Sequence, residues 1–104
     1  MTRKEAMTTY VIADITVTNP DGYAPYRPLA AKSIADFGGR YLARGGAVEP
    51  VEGGWHPGRI VIIEFPSMEI ARRWYDSPDY QAAQKIRMAN STGRVIFTEG
   101  APSA

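Results

Sequence analysis

The stretch spanning residues 59–80, RIVIIEFPSMEIARRWYDSPDY, constrains the fold more than any other. Ile60, Val61, Ile62 and Ile63 form an unbroken β-branched run, and such side chains, stiff at χ1, pack well on a pleated surface. A run apolar on both faces predicts a central strand. Alternation puts Arg59, Val61, Ile63 and Phe65 on one face and Ile60, Ile62 and Glu64 on the other. Glu64 is thus a carboxylate ending an apolar row. Pro66 offers no ladder N–H and ends the strand. Ser67 suits an N-cap, and Glu69 suits the positive end of a helix. Ile70, Ala71, Trp74 and Tyr75 follow at helical spacing. Ser77-Pro78-Asp79 restarts the helix, with Ser77 as cap and Pro78 at the first helical position. The pattern predicts two helical pieces bent near Ser77, with Trp74, Tyr75 and Tyr80 crowded at the bend.

The rest of the chain is placed against this stretch. Residues 10–17 read as a strand with Val11, Ala13, Ile15 and Val17 on one face. Its other face carries Tyr10, Ile12, Asp14 and Thr16, so a second carboxylate interrupts an apolar strand. Asn19-Pro20-Asp21 opens a helix. Tyr23, Tyr26, Ala30, Ile34 and Phe37 then recur at spacings of three and four. Pro25 and Pro28 disturb the first turn, so regular helix is expected over about 28–37. Gly38-Gly39 stops it. Residues 40–44 form a short strand, with a bulge or bend expected at Gly45-Gly46 and a continuation through 47–51. EGGWHPG, 52–58, is a loop. The second helical piece runs over 78–90, and 94–99 is the last strand.

The order β-α-β-β-α-β is the ferredoxin-like split arrangement, an α+β fold. It places two helices on one face of a four-stranded antiparallel sheet. The other face carries Ile12, Ile60 and Ile62, too much apolar surface to leave in water. A second copy would cover it, so a two-fold homodimer is the expectation.

A chain of 104 residues supports one domain with one modest core. It is expected to span 9–100, after a flexible leader at 1–8 and before a loose tail at 101–104. A net charge of +1 and no basic run argue against nucleic-acid partners. No stretch is apolar enough to cross a bilayer, and no membrane partner is expected. The absence of cysteine excludes disulfides, thiolate nucleophiles and Cys-ligated metals. The N-terminus lacks the apolar core of a secretory signal, and a cytoplasmic protein is expected. With a single His and no Cys, no metal is expected. No G-x-G-x-x-G or Walker pattern is present, and no organic cofactor is expected.

Three stretches, GGRYLARGG, EGGWHPGRIVIIEFPS and WYDSPDYQ, resemble the family called domain of unknown function 1330. That family belongs to the dimeric α/β-barrel superfamily, and the resemblance covers about 9–100. It implies the ferredoxin-like fold and a barrel made by two face-to-face sheets. It supplies no catalytic residues. Relatives across the superfamily include cofactor-free monooxygenases, lactone isomerases and small ligand-binding domains, and fold alone does not select among them.

Few residues carry chemistry, and each has a plainer alternative. His56 is the one side chain that titrates near neutrality unperturbed; it is either a general base at a pocket mouth or an exposed loop residue. Asp14 and Glu64 share the bare face of the sheet. Close together, one would be driven up in pKa and suited to acid–base work; otherwise each pairs with Arg40, Arg44 or Arg94. Arg44 and Arg59, with Trp55 and His56, could clamp an anionic ligand. Alternatively Arg59 stacks on Trp55, or either arginine pairs with Glu52. Tyr23, Tyr26, Trp74, Tyr75 and Tyr80 converge between helices and sheet, as walls of a small-molecule pocket or as an aromatic core. The expected site, near the EGGWHPG loop, is lined by Tyr26, Arg44, Trp55, His56 and Trp74. The function expected is cofactor-independent chemistry on, or binding of, a small organic molecule, with a non-catalytic ligand-binding or structural dimer as the alternative.

Overall fold

Strand β1 (Thr9–Val17) runs antiparallel between β3 (Arg59–Phe65) and β4 (Ser91–Glu99), and β2 (Arg40–Arg44) adds outside β3. The sheet order β2-β3-β1-β4 is that of the ferredoxin-like fold. The computed structural model describes residues 7–102. The expected leader up to residue 6, and the tail at 103–104, lie outside the described residues.

The alternation read from the sequence decides which face is buried. Val11, Ile63 and Phe65 are buried on one face and pack against Ala30, Ile34, Ala71, Trp74, Tyr80 and Ala83 from the helices. Ala13, Ile15 and Tyr23 form a smaller cluster beside them. The opposite face carries Ala43, Ile62, Ile12 and Ile96 as one cross-strand row over the four strands. Ile96 is 59% exposed there, and among the described residues no helix covers the row. Among the described residues no helix is long and apolar enough to cross a membrane.

The first helical region differs in detail from the expectation. It is two pieces, a single turn α1 (Pro20–Tyr23) and a regular α2 (Tyr26–Asp36). Asn19 caps α1, its side-chain oxygen accepting from the Gly22 N–H at 3.3 Å. Pro25 takes the N-cap position of α2, and Pro28 falls in its first turn. The N–H groups of a first turn have no intrahelical acceptor, so a proline there loses nothing. Regular helix therefore starts before Pro28.

Two strand boundaries are corrected. Residues 47–51 do not continue β2. Arg44 pairs with Val61 and the Gly45 N–H reaches the Ile60 carbonyl at 2.9 Å. Only Arg59 of β3 lies beyond, so there is no strand left to pair. The last strand starts at Ser91 rather than 94, because β1 offers Val17, Thr16 and Ile15 as partners for Ser91, Thr92 and Gly93.

The expected break is present. Helix α3 (Met68–Asp76) ends and α4 (Pro78–Asn90) begins around Ser77. Its hydroxyl oxygen accepts from the Tyr80 N–H at 3.2 Å and its O–H donates to the Trp74 carbonyl at 2.7 Å. One side chain thus closes the first helix and opens the second. Ser67 caps α3 in the same way, accepting from the Ile70 N–H at 3.1 Å. Ser77→Ala is expected to destabilise the protein by about 1 kcal/mol, the usual value of a cap. A urea midpoint unchanged by the substitution would count against this account.

Candidate functional site

A cavity of about 40 Å³ lies between the sheet and the helices. Its sheet side is apolar, formed by Val11, Ala13, Ile15, Val61, Ile63 and Val95. Its helix side is aromatic, formed by Tyr23, Tyr26, Trp74 and Tyr80. The spacing that made these aromatics a candidate wall also makes them a packed group. Tyr26 lies 5.2 Å from Tyr23 and 6.2 Å from Tyr80 between ring centroids, and Tyr80 lies 4.2 Å from Trp74. Such pairs each contribute about 0.5–1.5 kcal/mol beyond their buried area. The Trp74 indole N–H donates to the Ser33 hydroxyl at 3.0 Å, which satisfies its polar edge. The Tyr26 and Tyr80 hydroxyls are 2.8 Å apart.

The charged lining is wholly cationic: Arg27, Arg44, Arg59 and Arg87, with no Asp, Glu or His. Arg44 arrives through a local irregularity in β2. Tyr41 opposes Ile63 and Arg44 opposes Val61, with a bulge between Tyr41 and Ala43. Strict alternation would put residues 41 and 44 on opposite faces. The extra residue, Leu42, puts both on the cavity side. The bulge is thus at Leu42, and at Gly45 the chain makes the bend that was the other expectation there. The Arg44 guanidinium lies 4.2 Å from the Tyr41 ring centroid, a cation–π arrangement. Gly45, at φ +75°, makes room for Arg59, since a Cβ there would stand 2.7 Å from its guanidinium.

Arg87 is the buried member, 5% exposed, and its Nε has no hydrogen-bond partner. Burial works against its charge, but the Tyr80 and Tyr26 hydroxyls beside it prevail, and its pKa stands above the ordinary value. Burial, with Tyr80 alongside, pushes the Tyr26 phenol up, and burial also raises Tyr41. These phenols stay protonated at neutral pH and act as O–H donors. Among the described residues, the five ion pairs involve none of the four cavity arginines. Tyr80 hydrogen-bonds the Arg87 guanidinium, but no carboxylate among the described residues pairs with its charge, which is unusual for a purely structural residue.

The sequence candidates separate into two groups. Tyr23, Tyr26, Arg44, Arg59, Trp74 and Tyr80 surround the cavity. Trp55, His56, Asp14 and Glu64 do not. Trp55 lies over the open face of the sheet, its indole N–H donating to Asp14 Oδ2 at 3.1 Å. His56 is exposed in the same loop and lines no described cavity. Asp14 stands opposite Ile60 and Glu64 opposite Tyr10, at two ends of the open face. They form no dyad. Glu64 accepts from Arg40 at 2.7 Å, and Asp14 lies 3.6 Å from Arg94. Neither Trp55 nor Glu52 pairs with Arg59 among the described residues. Arg87, Arg27 and Tyr41 were missed. Arg87 was findable, because Tyr80, Ala83 and Arg87 recur at three and four on α4, placing an arginine in the apolar stripe.

The geometry defines a class, a ferredoxin-like α+β fold with a partly open cavity between its sheet and helices. The chain belongs to the DUF1330 family, a domain of unknown function, whose model matches residues 8–101. No curated protein matches it. Solved structures share the fold. A Rhodopseudomonas palustris protein of unknown function is 17% identical, over 95% of this chain and 86% of its own, with a TM-score of 0.75. A dimeric ferredoxin-like protein of unknown function from Thermobifida fusca is 17% identical, over 93% and 94%, at 0.62. SnoaB, a cofactor-independent oxygenase from Streptomyces nogalater, is 15% identical, over 94% and 97%, at 0.54.

Asp14 has a structural task, holding the 52–58 loop. The Gly58 N–H donates to its Oδ1 at 2.8 Å. That bond, against a smaller effect of burial and with help from Trp55 and Arg94, lowers its pKa below the ordinary 3.8. A depressed carboxyl stabilises in full above its unfolded value and loses that contribution as pH falls through the folded one. The loop is therefore expected to stay docked at neutral pH and to loosen only below pH 3.8. Asp14→Ala should expose the Gly58 amide to hydrogen exchange at neutral pH, and retained protection would refute the anchoring role.

Proposed function

We propose that the chain binds and acts on a small organic molecule in the cavity between sheet and helices, without a metal or organic cofactor. The observation that carries this reading is the lining itself, apolar on the sheet side, aromatic on the helix side, with unpaired guanidiniums among them. Apolar walls with a few convergent polar groups are what a ligand site requires. The fold shared with a cofactor-independent oxygenase agrees with it. The chemistry such a lining offers is electrophilic: guanidinium and phenol donors stabilise negative charge developing on a bound molecule. Non-catalytic binding is the second reading, favoured by a lining without Asp, Glu or His.

The test is a thermal-shift screen of small aliphatic and aromatic compounds, repeated on Ala13→Leu, which fills the cavity. Compounds that stabilise the parent chain should lose their effect in the variant. Stabilisation that survives cavity filling would overturn the assignment. Hits incubated in air with a chelator and recovered unchanged would leave the binding reading standing and remove the enzymatic one.

The assembly belongs to the same proposal, as a cytoplasmic homodimer joined through the open face. The Ile62, Ile12 and Ile96 row motivates it, and a dimeric neighbour of the same fold supports it. Light scattering at micromolar concentration should give a dimer, and Ile96→Lys a monomer. A monomeric parent chain would sink the assignment.

A further inference from the structure

The cavity's polar inventory is one-sided. Four guanidiniums line it and no carboxylate does. They are graded by depth: Arg27 and Arg44 are exposed, Arg59 is intermediate and Arg87 is buried. The Arg87 Nε lacks an acceptor, and a guanidinium has donors only. The neighbouring Tyr26 and Tyr80 hydroxyls share one hydrogen bond, which leaves one O–H proton of the pair free to donate. The buried end of the cavity is therefore an arrangement of donors facing an apolar floor of Val61, Ile63 and Val95.

Size and shape narrow the anion. About 40 Å³ corresponds to about three waters at roughly 10–15 Å³ each. A planar carboxyl group fits that space and matches a guanidinium fork. A tetrahedral phosphate is bulkier and would set its oxygens against the aliphatic floor. The two exposed arginines add a positive field at the mouth, which speeds capture of an anion.

Resting on the reading that this cavity is a ligand site, we infer that its ligand is a small organic carboxylate. Its carboxyl group is held by Arg87 at the buried end, and its apolar body lies against Val61, Ile63 and Val95. Arg87 is then a binding residue rather than a core residue: Tyr80 hydrogen-bonds its guanidinium, and the anion supplies the acceptor that Nε lacks among the described residues.

The test compares formate, acetate and propanoate with their amides, and with inorganic phosphate, by calorimetry and thermal shift on the full chain at fixed ionic strength. Each carboxylate is expected to bind at least about ten-fold more tightly than its amide, the usual value of a charge-assisted hydrogen bond. Arg87→Met should abolish that preference and leave the unliganded chain at least as stable, since it removes a charge without a carboxylate partner. A lower melting temperature for unliganded Arg87→Met, with the preference intact, would make Arg87 structural and overturn the assignment. The comparison on the parent chain needs no variant to fold. Amides binding as well as carboxylates would overturn the anion while leaving the small-molecule reading in place. Tighter binding of phosphate would overturn it in favour of phosphate esters. No binding by any compound would remove both readings.

Discussion

The hydroxyl of Ser77 is the smallest group on which the most structure depends. It turns one helical run into two by serving the last carbonyls of α3 and the first amides of α4 at once. Pro78, which could not have continued α3, becomes the first residue of α4. That change of axis lets Trp74 and Tyr80 meet at 4.2 Å. Tyr80 then reaches Tyr26 on α2, tying α4 to α2 over the same face of the sheet. Arg87 lies two turns further along α4, on the face the break has aimed at the sheet. Without the break, the aromatic group and the buried arginine would not share one space.

The two faces of the sheet solve different problems with the same residue types. On the open face, arginines and carboxylates are paired, Arg40 with Glu64 and Arg94 with Asp14. These pairs are largely exposed and each contributes at most about 1 kcal/mol; they serve to keep polar ends on an otherwise aliphatic surface. On the helix side the arginines lining the cavity have no carboxylate partners among the described residues. Stability would favour apolar replacements there. Of the four only Arg87 is buried, so the cost falls on that one position.

Much of this was legible from residue patterns. The β-branched run at 60–63, the Ser-Pro-Asp restart and the alternation in β1 fix the element order, the buried face and the helix break. These are local signals, and local physics decides them. The members of the site were less legible. Trp55 and His56 sit beside glycines in a loop, where direction depends on a hydrogen bond to Asp14 forty-one residues away in sequence. Asp14 and Glu64 share a face as expected, but their separation along it depends on the register of β1 and β3. Arg44 reaches the cavity through a bulge marked by neither Gly nor Pro at Leu42, because the mismatch arises between two strands rather than within one. Arg87 was in plain view at helical spacing and was hidden only by the habit of reading arginine as surface.

The bulge in β2 gives the edge strand two opposite parities. Before Leu42, odd-numbered side chains face the helices; after it, even-numbered ones do. Loss of that one residue would bring the strand back to a single parity and leave Arg44 opposite Val61 on the cavity side, whereas a strand that kept Leu42 but paired without the bulge would turn Arg44 outward. The way a sheet margin pairs, with or without its bulge, therefore decides whether a cation faces an interior space, without substitution in the core.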